Sequence, residues 1–401
     1  MNLRIALRNV FRNRRRTVFS LAVIVVGTSI FLFVLGFIGE ALRSTQLTLA
    51  CETGAVQVAD ARLLENEADG YDYLISPDMR AQVLERIAPM RGVTGVGEQL
   101  EFAGLVGDER GSTLILGRGV VPYAPVRSGQ CLSVTGLPED ESRQVLLGTA
   151  LADKLGVNVG DRINIATGTV SGNFNAATVE IAGELSYSIE DVEAQLGVFS
   201  LPFVQRLLKT DGIERIQIGL DDLGDADAFA RELQQRLDAA GIPLVTRTWE
   251  ELSPSYASLQ SFYAAFSGLA GLAVFVLVFF SVVEVLTISF LERTREIGTI
   301  RAFGTPRGLV FRTFLLEGVF LGAIGATLGV ALGGLIAVVF NAIGFGWTPP
   351  GAAAVQTLRL SLGTTTLLIP LVTSLVATVI SALYPALRNS RRRIVDALRS
   401  V

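Results

Sequence analysis

Four long apolar stretches divide the chain of 401 residues. They cover residues 17–39, 252–283, 318–340 and 360–387, and Pro370 interrupts the last one. About 20 apolar residues in a helix suffice to cross the hydrocarbon core of a bilayer. Four stretches of this length do not fit the buried helices of a soluble protein. The pattern therefore predicts a membrane protein with four membrane-spanning helices, one of them before and three after a long segment of mixed character.

The long segment between the first two apolar stretches, residues 40–252, contains short patterns of both kinds. Gly156 is typical of a helix end. The stretch 167–177 is rich in Gly, Ser, Asn and Thr and predicts a surface loop, and Gly92, Gly95 and Gly97 are interpreted as turns. Alternating and helical spacing together predict a large α+β domain with strands near 54–59, 144–147, 162–166, 178–182 and 215–219, and helices near 77–87, 149–155 and 225–240.

The charges are distributed very unevenly along the chain. Residues 1–16, 291–317 and 388–401 together carry a net charge of +12, whereas residues 40–252 carry a net charge of −16. Basic loops stay on the cytoplasmic side of a membrane. Both termini are therefore predicted in the cytoplasm, and the acidic domain is predicted on the other side of the membrane.

Several kinds of chemistry are excluded by the composition. The chain has no histidine and two cysteines, so Ser-His-Asp and Cys-His catalysis are excluded and no metal site or catalytic residue is predicted. Its two lysines, Lys154 and Lys209, lie outside any phosphate-binding G-x-x-x-x-G-K-[ST] pattern. No isolated basic patch suggests nucleic acid as a partner. Cys51 and Cys131 both lie in the predicted outside domain, where they form either a disulfide or two buried thiols.

Two charged segments are candidates for function. Residues 1–16 have the spacing of a basic amphipathic helix in the membrane surface, and a simple topology signal is the alternative. Residues 291–307 are densely charged, contain two glycines and lie between two spans. The residues alone leave two interpretations of the second segment open: a short helix that transmits force from a soluble partner, or a simple charged hairpin.

The chain resembles a known family at this second segment. Residues 292–307, ERTREIGTIRAFGTPR, resemble the signature of the FtsX-like permeases of ABC transporters, which include the lipoprotein-release permeases and the membrane part of MacB-type exporters. Three further segments resemble the family: residues 6–17 (ALRNVFRNRRRT), residues 147–161 (LGTALADKLGVNVGD), and the C-terminal ending with residues 384–386 (YPA) and 396–399 (DALR). The ending departs from the family at Val395, where a proline is usual.

The resemblance implies a working arrangement for the chain. Two permease chains pair as a homo- or heterodimer, and a cytoplasmic dimer of ABC ATPase subunits, which holds ATP and Mg²⁺, docks beneath them. The chain itself is then no enzyme and binds no cofactor. The domains are 1–43, the MacB-like domain 44–252, and 253–401, whose loop 291–317 holds the coupling helix. The implied coupling residues are Glu296, Gly298, Arg301, Gly304, Thr305 and Arg307.

The resemblance also implies a class of substrate. Mechanotransmission relatives lift lipoproteins or other lipophilic substrates from the outer leaflet, sometimes towards a periplasmic carrier. Two alternatives stay open: a signalling subunit that regulates an extracytoplasmic partner, and an exporter of small toxic compounds or peptides. The residues expected to line an apolar cavity, or else simply to face lipid, are Phe31, Leu35, Phe262 and Phe266.

Two features of the spans have more than one interpretation. The third span repeats glycine every three or four residues from Gly318 to Gly333, which predicts close packing inside one chain or a moving interface. Glu284 lies in the second span, where a carboxylate is costly. It is protonated, paired with an arginine, hydrogen-bonded to the third span, or part of a proton relay.

Overall fold

The computed structural model describes residues 14–65, 70–108, 111–122, 143–186, 190–347 and 356–390. Its elements, in chain order, are α1 (Arg14–Thr53), β1 (Val56–Ala59), α2 (Ala61–Leu64), α3 (Pro77–Ile87), β2 (Val93–Asp108), β3 (Gly111–Val120), β4 (Gln144–Gly148), α4 (Thr149–Leu155), β5 (Arg162–Gly168), β6 (Phe174–Leu185), α5 (Glu190–Glu193), β7 (Leu196–Ser200), α6 (Leu201–Leu208), β8 (Arg215–Leu220), α7 (Ala226–Ala239), β9 (Val245–Thr248), α8 (Pro254–Glu292), α9 (Thr294–Ala302), α10 (Arg307–Ile343), β10 (Gly346–Trp347), β11 (Gln356–Thr357) and α11 (Thr364–Ser390).

The chain divides into two compact units. The helical unit comprises residues 1–42, 259–345 and 357–401, and the sheet unit comprises residues 43–258 and 346–356. Four helices, α1, α8, α10 and α11, are long and apolar enough to cross a membrane. The prediction of four apolar helices and a large domain of strands and helices is therefore confirmed.

One edge of α10 is formed by glycines and lies against two other helices. Near the start of α10, a Cβ atom added to Gly318 would lie 2.5 Å from Cβ of Ala382 on α11. Further along, a Cβ atom at Gly329 would lie 2.6 Å from Cβ of Thr28 on α1. Small residues let the backbones approach this closely. The repeated glycines of the third span thus pack inside one chain, with α11 first and then with α1.

Hydroxyl groups join the same helices where they touch. Thr28 Oγ1 and Ser374 Oγ are 2.7 Å apart between α1 and α11. Ser29 Oγ donates to the carbonyl oxygen of Gly329 at 2.8 Å. In an apolar environment these short polar side chains satisfy each other or the backbone. They therefore add specific contacts to the packing of α1, α10 and α11.

The sheet unit is built around a closed barrel. Six strands follow each other in the order β3-β7-β4-β6-β5-β2, and pairing of β2 with β3 closes the ring. The first half of β2, Val93–Gln99, leaves the barrel and pairs with β8, which is followed by β1 and β9. Phe199 lies in the core, where its ring stacks on Phe203 with centroids 5.5 Å apart. The long strand β2 thus joins the barrel to a second, open sheet.

Some local predictions are confirmed and others are wrong. Helix α4 ends as expected at Gly156, which has a left-handed φ of 65°. The predicted loop 167–177 is instead mostly a hairpin of β5 and β6, and only residues 169–173 turn. Gly92 lies in the bend before β2 with a φ of 84°, as predicted, whereas Gly95 and Gly97 lie within β2 and are not turns. These strands are rich in small residues, which hide the usual alternation of apolar and polar side chains. The strands form nevertheless, because backbone hydrogen bonds between strands do not depend on the side chains.

Candidate coupling site

The segment singled out by its charge forms the short helix α9 between α8 and α10. Arg293 precedes its first turn, and its last turn ends at Phe303. Gly304 follows with a φ of 94°, a conformation that glycine adopts without steric cost. This glycine turns the chain towards Pro306, which directly precedes α10. The helix is therefore bounded by a fixed polar start and a glycine bend.

One side of α9 is fixed to the helical unit. Thr294 Oγ1 donates to the carbonyl oxygen of Phe290 at 3.0 Å and is buried. Ile297 packs against an apolar cluster that α8, α10 and α11 share. In that cluster, the rings of Phe290 and Phe314 meet edge to face with centroids 5.3 Å apart. These contacts hold α9 against the ends of the long helices.

An ion pair reinforces this attachment. Nη1 of Arg293 donates to Oε1 of Glu317 on α10 at 3.1 Å. The side chain of Glu317 is 4% exposed. A buried carboxylate is stabilised only where a cation or hydrogen-bond donors compensate its desolvation. Arg293 therefore accounts for a charged residue at the start of an apolar helix.

The opposite side of α9 is exposed and partly apolar. Phe303 is 88% exposed and Ile300 is 52% exposed. Glu296 and Thr299 are exposed beside them. A fully exposed phenylalanine next to an isoleucine is typical of a surface that another molecule covers. Neither residue was predicted as a docking residue, although two apolar side chains within a charged segment were a signal for them.

The six residues implied to couple the ATPase do not share one surface. Glu296, Gly304 and Arg307 are exposed, and Thr305 is half-buried. Gly298 is buried, and Arg301 is 7% exposed. These last two residues face the helical unit and therefore fit a role in holding α9 in place.

The four residues expected to line a cavity also fall into two groups. Phe31 is 4% exposed, and a Cβ atom at Gly271 of α8 would lie 2.8 Å from its ring. The ring therefore fills space between α1 and α8 within this chain. Leu35 is half-buried. Phe262 and Phe266 are well exposed on α8, with stacked rings 6.4 Å apart.

Glu284 lies on an exposed side of α8. In the part of the chain that the structure describes, its carboxyl group makes no hydrogen bond to α10.

The sheet unit contains a separate cleft of about 440 Å³, lined in part by Tyr71, Tyr73 and Leu116. The pKa values of two carboxyl groups at the cleft are shifted in opposite directions. Burial raises the pKa of Glu214 above its usual value, although the neighbouring Arg215 opposes this shift. Burial would also raise the pKa of Glu101, but Arg118 and Arg215 lower it overall. The charges of the arginines and of the carboxylates at the cleft therefore offset each other.

The cysteine and metal predictions are only partly covered by the described residues. Cys51 is disulfide-bonded, and Cys131 lies outside the described residues. Within the described ranges, no group of three or more Cys, Asp or Glu side chains is arranged to hold a metal ion.

Parts of the chain are similar in sequence to a known protein family and to known membrane proteins. Residues 268–394 match the FtsX-like permease C-terminal family. The lipoprotein-releasing system transmembrane protein LolC of Xylella fastidiosa (strain 9a5c) is 24% identical over 327 residues, which cover 77% of this chain and 78% of that protein. The macrolide export ATP-binding/permease protein MacB of Shewanella sp. (strain W3-18-1) is 44% identical over 63 residues, which cover 16% of this chain and 10% of that protein.

A solved structure, the periplasmic region of MacB from Actinobacillus actinomycetemcomitans, aligns with a TM-score of 0.36 and 9% identity. The alignment covers 51% of this chain and 94% of that one. The matched family region contains most of α8 and all of α9 and α10. The chain therefore carries an FtsX-like permease domain over residues 268–394, and it is similar in sequence to the transmembrane protein LolC and, over a shorter stretch, to the permease protein MacB.

Proposed function

We propose that the chain is the permease subunit of an ATP-driven system that extracts or releases lipoproteins, or another lipophilic substrate, from the outer leaflet of a bacterial inner membrane. The similarity to LolC supports this proposal because it extends over 77% of the chain. The similarity to MacB covers only 16%. A role in lipoprotein release is therefore favoured over export of small compounds and over signalling.

The proposed orientation has the sheet unit outside and both termini in the cytoplasm. Two observations support it. Arginines are concentrated in residues 1–16, 291–317 and 388–401, next to the spans, and the positive-inside rule keeps such basic segments in the cytoplasm. Cys51 is disulfide-bonded, and disulfides persist in oxidising compartments. Helix α9 then lies on the cytoplasmic side, where an ATPase has access to it.

The proposed docking site for the ATPase is the exposed side of α9. An amphipathic helix binds a partner by placing its apolar residues in a groove. Phe303 and Ile300 supply that apolar surface, and Glu296 and Arg307 supply charge around it. The ATPase dimer holds ATP and Mg²⁺, and a second permease chain completes the assembly. In this proposal Gly298 and Arg301 hold the helix, and Phe303 is the main docking residue.

Docking is tested by the change Phe303→Asp in the full-length chain, expressed with its genomic ATPase and purified from membranes. We expect ATPase recovery to fall about tenfold or more, because a charge replaces a central apolar contact. The matched control is Phe345→Asp, which changes a phenylalanine that is 53% exposed beyond the other end of α10. Equal recovery of the ATPase with both variants would contradict docking at α9.

The substrate class is tested by a photo-crosslinking amino acid at Phe266 in intact membranes. If the exposed end of α8 contacts lipoproteins, the crosslinked product contains one. Leu335 provides a control position, because it is 60% exposed on α10. Crosslinks only to phospholipid at position 266, together with normal lipoprotein sorting in a deletion strain, would exclude lipoprotein release and favour export or signalling.

A further inference from the structure

Arg293 contacts one residue on the exposed side of α9 and one on the buried side of α10. Its Nη1 atom donates to the buried Glu317 at 3.1 Å. Its Nε atom lies 3.8 Å from Oε2 of Glu296, whose side chain is 49% exposed. A row of three charged side chains therefore leads from the proposed docking surface into the helical unit. Two of them, Arg293 and Glu317, were not among the coupling residues implied by the resemblance.

The position of Arg293 in the chain adds to this geometry. It directly precedes the first turn of α9 and directly follows α8, which ends at Glu292. Its guanidinium group contacts α10 across this junction. A displacement of the start of α9 must therefore either carry Glu317 with it or break a buried, charge-assisted hydrogen bond, which is among the stronger contacts in proteins.

Packing alone would hold α9 less specifically. Ile297 contacts the apolar cluster of Phe290, Val310, Phe314 and Ala386. Apolar contacts are not directional, so such a surface can slide while its buried area stays nearly constant. The ion pair has a defined geometry and leaves a buried unpaired charge if it opens. It is therefore the contact in this attachment that best resists a change in the angle or position of α9.

We infer that Glu296, Arg293 and Glu317 form a linkage through which movement of α9 is passed to α10. Arg293 and Glu317 are positioning residues, since neither is placed in contact with substrate or nucleotide. The inference rests on the proposed function, in which an ATPase moves α9. It adds the route by which that movement enters the third span.

The test uses the complete permease–ATPase complex in liposomes and measures ATPase recovery, basal ATP hydrolysis and substrate-stimulated hydrolysis. The variants are Arg293→Gln, Glu317→Gln and the exchanged pair Arg293→Glu with Glu317→Arg. Each single change should lower the stimulation about tenfold, as expected for loss of a charged hydrogen bond. ATPase recovery should be unchanged, and the exchanged pair should regain most of the stimulation. Arg312→Ala, which removes an exposed arginine of α10, should have no effect.

Glu296→Gln keeps the buried pair and provides a variant that is expected to fold even if the others do not. Because Glu296 also lies on the proposed docking surface, stimulation is measured per bound ATPase, and it should fall by more than ATPase recovery does. Normal stimulation in this variant or in both single variants of the buried pair would overturn the inference, as would an exchanged pair no better than the single changes. Failure of the unmodified chain to bind any ATPase would instead refute the proposed function, so the two failures are distinguishable.

Discussion

Gly329→Ala tests the packing of the helical unit most directly. A Cβ atom at this position would lie 2.6 Å from Cβ of Thr28 and 3.0 Å from the carbonyl oxygen of Val25, both on α1. These neighbours cannot move away easily, because one is backbone and Thr28 also contacts Ser374 at 2.7 Å. Gly334→Ala is the matched control, since no atom lies within 4 Å of its Cβ position on the same helix.

The expected difference follows from two terms. Replacing glycine by alanine inside a helix favours the helix by about 1 kcal/mol, and this gain is the same for both variants. Inserting a methyl group into a closely packed contact costs about 1–3 kcal/mol. The free energy of unfolding of the Gly329 variant should therefore lie about 1–3 kcal/mol below that of the Gly334 variant.

The assay is reversible unfolding by SDS titration in mixed micelles, followed by circular dichroism. The two variants are compared with each other, so that the helix-propensity term cancels. Equal free energies of unfolding would refute the close contact between α10 and α1 inside one chain. The glycine edge would then be available for another interface.

Three further changes test other parts of the account. The raised pKa of Glu214 means that the folded protein binds the proton of this carboxyl group more tightly than the unfolded chain does. The protonated group therefore stabilises the fold at acid pH, and this stabilisation is lost as the pH rises through the raised pKa. Glu214→Gln should remove this pH-dependent loss of stability, as measured by thermal unfolding across pH. Cys51→Ser should lower the free energy of unfolding by about 2–4 kcal/mol under oxidising conditions and have no effect under reducing ones, so an equal loss in both would contradict a stabilising disulfide. Arg301→Glu should lower thermal stability because the side chain is buried, whereas Arg307→Glu should weaken ATPase recovery alone; the reverse pattern would exchange the roles of the two arginines.

The long helices and several short elements were predictable because one local rule determined each of them. Uninterrupted apolar length was enough for α1, α8, α10 and α11. A glycine at a helix end was enough to locate the end of α4 at Gly156. These features depend on neighbouring residues in the sequence and on no distant contact.

The features that were missed depend on contacts between distant residues. Strands β2 and β3 together contain seven glycines, which hide the usual alternation of apolar and polar residues. The register of their hairpin is set by backbone pairing such as that of Leu105 with Leu114. Arg301 has the composition of a docking residue, but helical rotation directs it to the buried side of α9. Phe31 is apolar and suitably placed along α1, yet only its neighbour Gly271 on α8 shows that it is core. Sequence spacing alone does not fix which side of a helix meets another helix.

The central claim is that α9 faces the cytoplasm, where an ATPase acts on it, while the sheet unit lies outside. Labelling of intact cells with a membrane-impermeant thiol reagent tests it directly, in a background with both native cysteines replaced by serine. Single cysteines are introduced by Gly111→Cys on β3 and Arg307→Cys at the start of α10, both at exposed positions. The account predicts labelling of the first and protection of the second until the membrane is opened. Labelling of position 307 with protection of position 111 would reverse the topology and contradict the proposed coupling to a cytoplasmic ATPase.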